Sequence, residues 1–302
     1  MRIIIAGGTG LIGRELVKQL AAHHEVFILT RDTNGKQQFM PPGVELRVWD
    51  ALTPQGWCEL IHEDTILINL AGENIANWRW TLTHRRVVLQ SRIDTSRAIT
   101  QAILEAKHKP RALLQASAVG YYGSRGELAI GEITSPGTGW RAEVCKLWEA
   151  ETIPVESAGV RRVLMRIGIV LDRHAGAFPA LSLAGRLGVN RLGNGNQWIP
   201  WIHNIDVAGA IQHIIQCETL TGAVNITSPM PVTNAEFFRT LARVRRWFAL
   251  YPVPDAALKL ILGEMATTVL DSQRVYAPKL VDSGYQFCFP TLQDALKDLL
   301  NH

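Results

Sequence analysis

The sequence predicts an α/β fold: a doubly wound parallel sheet with a smaller C-terminal α+β lobe. Three observations predict it. Short apolar runs rich in β-branched residues alternate with stretches of helical periodicity through the first half of the chain. A glycine-rich turn directly follows the first of those runs. The second half loses the alternation and is punctuated by Gly and Pro, as in "GRLGVNRLGNGNQWIPW".

The elements follow in order. Residues 3–6 form an apolar run, and 11–22 have helical spacing with Leu11, Ile12, Leu16, Val17 and Leu20 on one side. Further strands are expected at 26–30, 46–49 and 65–70. A long helix is expected over 85–107, stopping before Pro110. A strand at 111–116, a helix over 140–157 and a strand at 160–167 continue the alternation, as a parallel sheet covered on both faces requires. Beyond it, 185–201 reads mostly as loop. Residues 205–217 read as a helix and 223–226 as a strand, a unit that returns to the main sheet. Thr233 or Asn234 caps a further helix with Glu236 in its first turn, and 291–300 is a last amphipathic helix.

Composition excludes several classes. The 302 residues suffice for a well-buried core, and 47% hydrophobic with 19% charged residues is ordinary for a globular protein. The net charge of +4 comes from scattered residues, and the short groups Arg85–Arg86, Arg161–Arg162 and Arg243–Arg245–Arg246 read as solvated faces. No basic stripe indicates nucleic acid. No apolar run reaches the roughly 18 residues of a membrane span. Cysteines 58, 145, 217 and 288 lack CxxC spacing and any metal-type clustering, so no metal site is expected. Four scattered thiols, and a chain that enters a strand at Arg2 with no room for a signal peptide, point to the cytoplasm.

The strongest local signal is "IIIAGGTGLIG", in which Gly7, Gly10 and Gly13 form GxxGxxG between the first strand and the first helix. The first glycine permits the tight turn, the second lets backbone approach a pyrophosphate, and the third lets helix and strand pack closely. The phosphates then meet the unpaired N–H groups of Thr9, Gly10, Leu11 and Ile12 at the helix start. This is the signature of a Rossmann-type dinucleotide site. The second strand ends "FILTRD", which places Arg31 where NADP sites hold the 2′-phosphate; the other reading leaves Arg31 on the surface and turns Asp32 inward for NAD. Asp50, closing "LRVWD", either reaches the adenine amine or caps the next helix. The expected cofactor is NADP(H). On this reading 1–171, with 203–227 returning, form the NADP-binding domain, and 172–202 with 228–302 form a smaller substrate-side lobe.

The motifs resemble those of the short-chain dehydrogenase/reductase superfamily, in its extended branch of sugar-nucleotide epimerases and dehydratases. "LINLAG" sits where that family has its Asn-Asn-Ala-Gly strand end, "ASAVGYYG" where it has its serine and Tyr-Gly segment, and "MRIGIVL" where a strand follows the catalytic helix. "WIHNIDVAGAI" is similar to its returning helix. The words "GGTGLIGREL", "INLAGENI", "WRWT", "SRIDTSRAI", "LWEAE", "GNGNQWIPWIH", "NITSPMPVTNAEF" and "QRVYAPKL" are, almost end to end, those of the atypical subgroup called epimerase family proteins. The resemblance implies a nucleoside-sugar epimerase or an oxidoreductase on a small polar carbonyl or alcohol. It places Leu70, Ala71, Gly72, Glu73 and Arg79 beside the cofactor. Glu73 and Arg79 either contact ribose and phosphate or pair with each other, and Trp78 and Trp80 either wall a pocket or anchor the loop.

The chemistry departs from the superfamily. Its enzymes carry a Tyr and, four residues later on the same helix face, a Lys. In "RAEVCKLWE" the Lys position falls on Cys145 or Lys146 and the Tyr position on Arg141 or Ala142, so neither alignment supplies a tyrosine. Ser117 is the candidate ligand for the substrate oxygen, although a strict count from Tyr-Gly lands on Ala118. Proton donors are Tyr122, Tyr121, Cys145, Lys146 or a water, with Tyr122 first. Glu149 either touches the nicotinamide ribose in place of the missing Lys or pairs with Lys146. Arg92 either binds a substrate anion or makes an interhelical ion pair. The substrate side is expected to use Arg166, Gln197 and Trp201, with Trp198 and His203 in the same loop, around a sugar or sugar nucleotide. The competing class is a non-catalytic NADP(H)-binding sensor or interaction protein.

Overall fold

The structure, a computed structural model, describes residues 1–34, 37–75 and 80–300. Seven strands form one fully parallel sheet: β1 (Arg2–Ala6), β2 (Glu25–Thr30), β3 (Val44–Val48), β4 (Thr65–Asn69), β5 (Ala112–Ala118), β6 (Arg161–Ile167) and β7 (Gly222–Ile226). Their order is β7-β6-β5-β4-β1-β2-β3. The order reverses between β1 and β4, and a crevice opens there at the carboxyl ends of the strands.

The apolar runs are continuous because both faces of the sheet are covered. Alternate residues serve different cores: Ile3, Ile5 and Ile28 enter one, Ile4, Ala6 and Leu67 the other. Helix α1 (Leu11–Leu20) buries Gly13, Leu16, Val17 and Leu20, spacings that share one helix face. Helix α2 (Leu82–Glu105) starts at Thr81, whose hydroxyl accepts the His84 N–H at 3.1 Å. Helix α3 (Trp140–Ala150) is shorter than the sequence suggests. The chain turns after it, and a separate four-residue helix, Pro154–Ser157, begins with proline. Proline has no N–H to continue the helical ladder, and its ring clashes with the preceding turn.

Helix α4 (Asn204–Gln216) returns the chain to the sheet, where β7 pairs with β6 and sets Val224 opposite Met165. A second core gathers Phe178, Trp201, Phe237, Phe238 and Leu296 around helices α5 (Asn234–Arg245) and α6 (Leu292–Leu300). The stretch 185–201, expected as loop, holds short strands. Val189–Leu192 pairs with Tyr251–Val253, and Trp198–Ile199 pairs with Val232–Thr233. A helix, Phe178–Arg186, precedes them. Gly188, at φ +93°, lets the chain turn between that helix and the first strand, so the glycines that signal a loop serve turns between very short elements. Thr233 caps α5, accepting the Glu236 N–H at 3.3 Å. Thr233→Ala is therefore expected to cost about 1 kcal/mol in denaturant unfolding. Among the described residues, no helix is long and apolar enough to cross a membrane.

Candidate functional site

The crevice at the β1/β4 reversal is a cleft of about 430 Å³. Gly7, Thr9 and Gly10 line it from the turn after β1, Arg31 and Asp50 from the ends of β2 and β3, and Leu70, Ala71, Gly72 and Glu73 from the end of β4. Nine of the residues expected to hold cofactor thus meet in one place. Leu11, Ile12 and Gly13 form the first turn of α1 at the same rim. The first amides of that helix have no intrahelical acceptor. Arg79, like Trp78, lies outside the described residues.

The cradle needs glycine. Gly7 sits at φ +81°, and a Cβ there would lie 2.7 Å from the Leu70 carbonyl carbon. A Cβ on Gly13 would lie 2.4 Å from the Gly7 oxygen. Both neighbours are backbone, so the turn, β4 and α1 are pressed together as a dinucleotide-binding turn requires. Asn69 fixes the facing strand end: its Oδ1 accepts the Ala71 N–H at 3.1 Å, and its Nδ2 donates to Gln115 Oε1 at 3.0 Å.

Of the two residues that discriminate cofactors, Arg31 lines the cleft and Asp32 does not. Asp32 Oδ1 accepts the Asn34 N–H at 2.9 Å, closing its own loop. Asp50 closes a turn and caps no helix: Oδ1 accepts the N–H groups of Leu52 and Thr53, both at 2.8 Å, and these backbone bonds hold its carboxyl below the usual range. Ser91, Asp94 and Thr95 also line the cleft, and the sequence reading did not single them out. Their spacing on α2, three and four residues apart, is the signal that would have found them.

Beyond β5 lies a buried polar cluster. Ser117 and Glu149 are 3% and 7% exposed, yet the Ser117 hydroxyl donates to Glu149 Oε1 at 2.6 Å. Arg166 grips the same carboxylate with two bonds, Nε to Oε1 and Nη2 to Oε2, both 2.9 Å. Its Nη1 donates to the Tyr122 oxygen at 3.1 Å, and the Tyr122 hydroxyl donates to Asn225 Oδ1 at 2.7 Å. Burial works against the Arg166 charge, but Glu149 and Tyr122 outweigh it and hold the guanidinium protonated. Glu149 therefore serves Arg166 and Ser117, while Lys146 pairs with Glu143 at 2.5 Å instead.

Two candidate proton donors are held neutral. Burial pushes the fully buried Tyr122 hydroxyl up to about 12. Burial likewise pushes the Cys145 thiol up to about 11, and Sγ donates to the Ala118 oxygen at 3.6 Å. A Tyr122 pKa raised from 10.0 to about 12 stabilises the fold below pH 10, and that contribution is lost as pH rises through 12. Tyr122→Phe is expected to remove this alkaline loss, measured as unfolding free energy against pH. At neutral pH it costs about 1–3 kcal/mol, because Asn225 and Arg166 lose a partner.

Other expected site residues take structural positions. Arg92 donates to the Glu73 and Val88 carbonyls, both at 3.0 Å, and its guanidinium lies 4.9 Å from the Trp148 ring centre. It pins the strand-end loop rather than pairing between helices. Trp201 is completely buried in the second core, its indole N–H on the Met230 oxygen. Gln197 is buried and donates to the Leu192 and Val269 oxygens. Both face packed protein instead of the cleft, because the strands around 185–203 fold this loop inward. Trp198 donates its indole N–H to Glu127 at 2.7 Å, and His203 caps α4. Arg141, one of the two tyrosine positions, is ion-paired with Asp271, and Ala142, the other, is buried.

Comparison with known proteins agrees with this geometry. The NAD dependent epimerase/dehydratase family matches residues 3–226, and a domain of unknown function, DUF1731, matches 253–299. The chain is 35% identical to the epimerase family protein YfhF of Bacillus subtilis, over 99% of this chain and 98% of that one. The crystal structure of human epimerase family protein SDR39U1 (isoform 2) with NADPH superposes with a TM-score of 0.87 at 32% identity, covering 100% of both chains. A nucleoside-diphosphate sugar epimerase from Corynebacterium glutamicum gives 0.79 at 27% identity, covering 99% of this chain and 58% of that one. With its glycine cradle, its parallel sheet and matches along its whole length, the chain belongs to the NAD-dependent epimerase/dehydratase family, among its epimerase family proteins.

Proposed function

We propose that the protein is an NADP(H)-dependent oxidoreductase or epimerase acting on an alcohol or carbonyl carbon of a small polar molecule, a sugar or sugar nucleotide. The observation that carries this reading is the pair at the end of β2: Arg31 on the cleft wall, Asp32 folded back onto Asn34. An arginine suits a 2′-phosphate, whereas a ribose with two free hydroxyls calls for an acid. The human relative crystallised with NADPH supports the same choice.

The residues fit the cofactor. Gly7, Gly10 and the first turn of α1 receive the pyrophosphate, Arg31 the 2′-phosphate, and Leu70 to Glu73 the central part. The bound cofactor supplies or takes up hydride at nicotinamide C4. The chain's own contribution is at Ser117. Both Glu149 oxygens are acceptors already bonded to Arg166, so the short bond from Ser117 fixes its proton on the Glu149 side. The Ser117 lone pairs are left to accept a hydrogen bond from a substrate hydroxyl, so Ser117 orients the reacting oxygen while Glu149 stays ionised against Arg166. Tyr122 and Cys145 stay protonated and orient the cluster. Arg166 keeps the carboxylate in place.

The second reading, a non-catalytic NADP(H) sensor, is favoured by the burial of Ser117 and Tyr122 and by an ion-paired Arg141 and a buried Ala142 at the two positions where a tyrosine would stand. Fluorescence titration with NADPH and NADH, followed by a panel of carbonyl and alcohol substrates, separates the two. NADPH is expected to bind tighter, and Arg31→Ala to weaken it roughly 10–100-fold while leaving NADH unchanged. Equal binding of both cofactors by the unaltered protein refutes the Arg31 argument. Tight NADPH binding without turnover on any substrate selects the sensor. Where turnover is found, its survival in Ser117→Ala removes the orienting role given to Ser117.

A further inference from the structure

A second cavity, about 210 Å³, lies between the start of α4, residues 172–174 and the end of α6, and among the described residues none lines both it and the nucleotide cleft. We propose that it is a binding site for a small amino alcohol, an ammonium group with a neighbouring hydroxyl, of which an amino sugar is one form.

Two of its lining residues, His203 and Asn204, are 3% and 6% exposed. Among the described residues, Asn204 Oδ1 has no hydrogen-bond partner, and His203 Nε2 has only the Asp298 carboxylate, 3.3 Å away and poorly aligned. Buried polar atoms are nearly always paired, so an unpaired acceptor beside a weakly paired donor on one cavity marks a place for a polar occupant.

Their chemistry defines that occupant. His203 Nδ1 accepts the Ile205 N–H at 3.2 Å, so the ring proton resides on Nε2, which is a donor. Asn204 Nδ2 donates to Asp172 Oδ2 at 3.2 Å. A carboxylate accepts only the amide N–H, so the amide cannot be turned over and Oδ1 is an acceptor. Asp298 Oδ2 lies 3.3 Å from His203 Nε2, off the line of a hydrogen bond, and its side chain is 39% exposed at the cavity rim. Asp172, Asp298 and Glu15 supply three carboxylates to the lining, of which Glu15 is already paired with Lys18 at 3.4 Å. Of the cations there, Arg173 is held on the backbone, donating to the Leu299 and Asp298 carbonyls at the end of α6.

The cavity thus asks for N–H donors and positive charge at Asn204 Oδ1 and Asp298, and for one oxygen acceptor at His203 Nε2. An ammonium beside a hydroxyl meets both demands. A metal ion does not, because the imidazole nitrogen facing the cavity carries its proton.

The test uses the full chain, with ethanolamine and glucosamine as probes and glycerol and sodium chloride as controls. Melting temperature is expected to rise with the logarithm of either amine's concentration and not with the controls. Asp298→Asn is expected to bind both amines about tenfold more weakly, through loss of one charged partner. In the unsubstituted protein the His203 ring ¹⁵N signals are expected to move on saturation. Unmoved His203 signals, an effect of glycerol equal to that of the amines, or an unchanged response in Asp298→Asn each overturn the proposal.

Discussion

Gly13→Ala is expected to abolish dinucleotide binding and to destabilise the fold by about 3 kcal/mol, because nothing near the new methyl group can yield. The added Cβ would lie 2.4 Å from the Gly7 oxygen, 2.6 Å from Gly8 Cα and 2.7 Å from the Gly8 carbonyl carbon. All three are backbone atoms of the turn that forms the cradle. Relief requires α1 to move off β1, and that movement pulls the first helical amides away from the phosphate position. The double outcome distinguishes this change from a simple binding mutation: a fall in urea midpoint and a loss of NADPH fluorescence change appear together. Gly10→Ala is the useful contrast, since its Cβ meets only the Gly7 oxygen, at 3.2 Å. It is expected to leave most of the stability in place.

Glu149→Leu is expected to cost about 3–5 kcal/mol, the penalty for stranding a buried guanidinium. Arg166 is 5% exposed, and Glu149 answers two of its donors. The stronger expectation concerns the double variant. Glu149→Leu with Arg166→Met removes both charges and is expected to be more stable than the sum of the single losses implies, by about 1–3 kcal/mol of coupling. Urea unfolding of the four proteins in the cycle measures it. Additive losses would show that the pair is not energetically joined, and the role given to Ser117 would lose its support.

What the sequence made legible came from local rules. The glycine spacing, the apolar runs and the helical periods each involve residues within one or two turns of each other, and they located β1 to β7, α1, α2 and the cleft where the strand order reverses. The break after α3 was equally available in Pro154, but the apolar pattern runs across it and masks it. The cluster of Ser117, Glu149 and Arg166 was not legible. The first lies on β5, the second on α3 and the third on β6, and only the pairing of Ser117 with Arg166 across adjacent strands brings them together. Read singly, Glu149 suggests a ribose contact or a Lys146 pair and Arg166 a substrate contact, whereas the fold joins the two charges to each other. Trp201 and Gln197 misled for a related reason. A Gly-rich, aromatic stretch looks like a surface loop unless the short strands that draw it inward are known, and those strands pair with residues up to about 60 positions away.

Asp206 is fully buried in the first turn of α4, and its carboxylate accepts the N–H groups of Cys288 and Phe289, at 2.7 and 2.9 Å, together with the Tyr285 hydroxyl. A chain emerging from the ribosome completes the helix that carries Asp206 some eighty residues before those donors exist. Until then the carboxylate must stay hydrated, and α4 cannot seat fully against α1 and β7. Closure of the nascent protein is thereby delayed until its last segment arrives. A slow refolding phase that reports formation of this long-range contact is therefore expected, with its rate altered in Asp206→Asn.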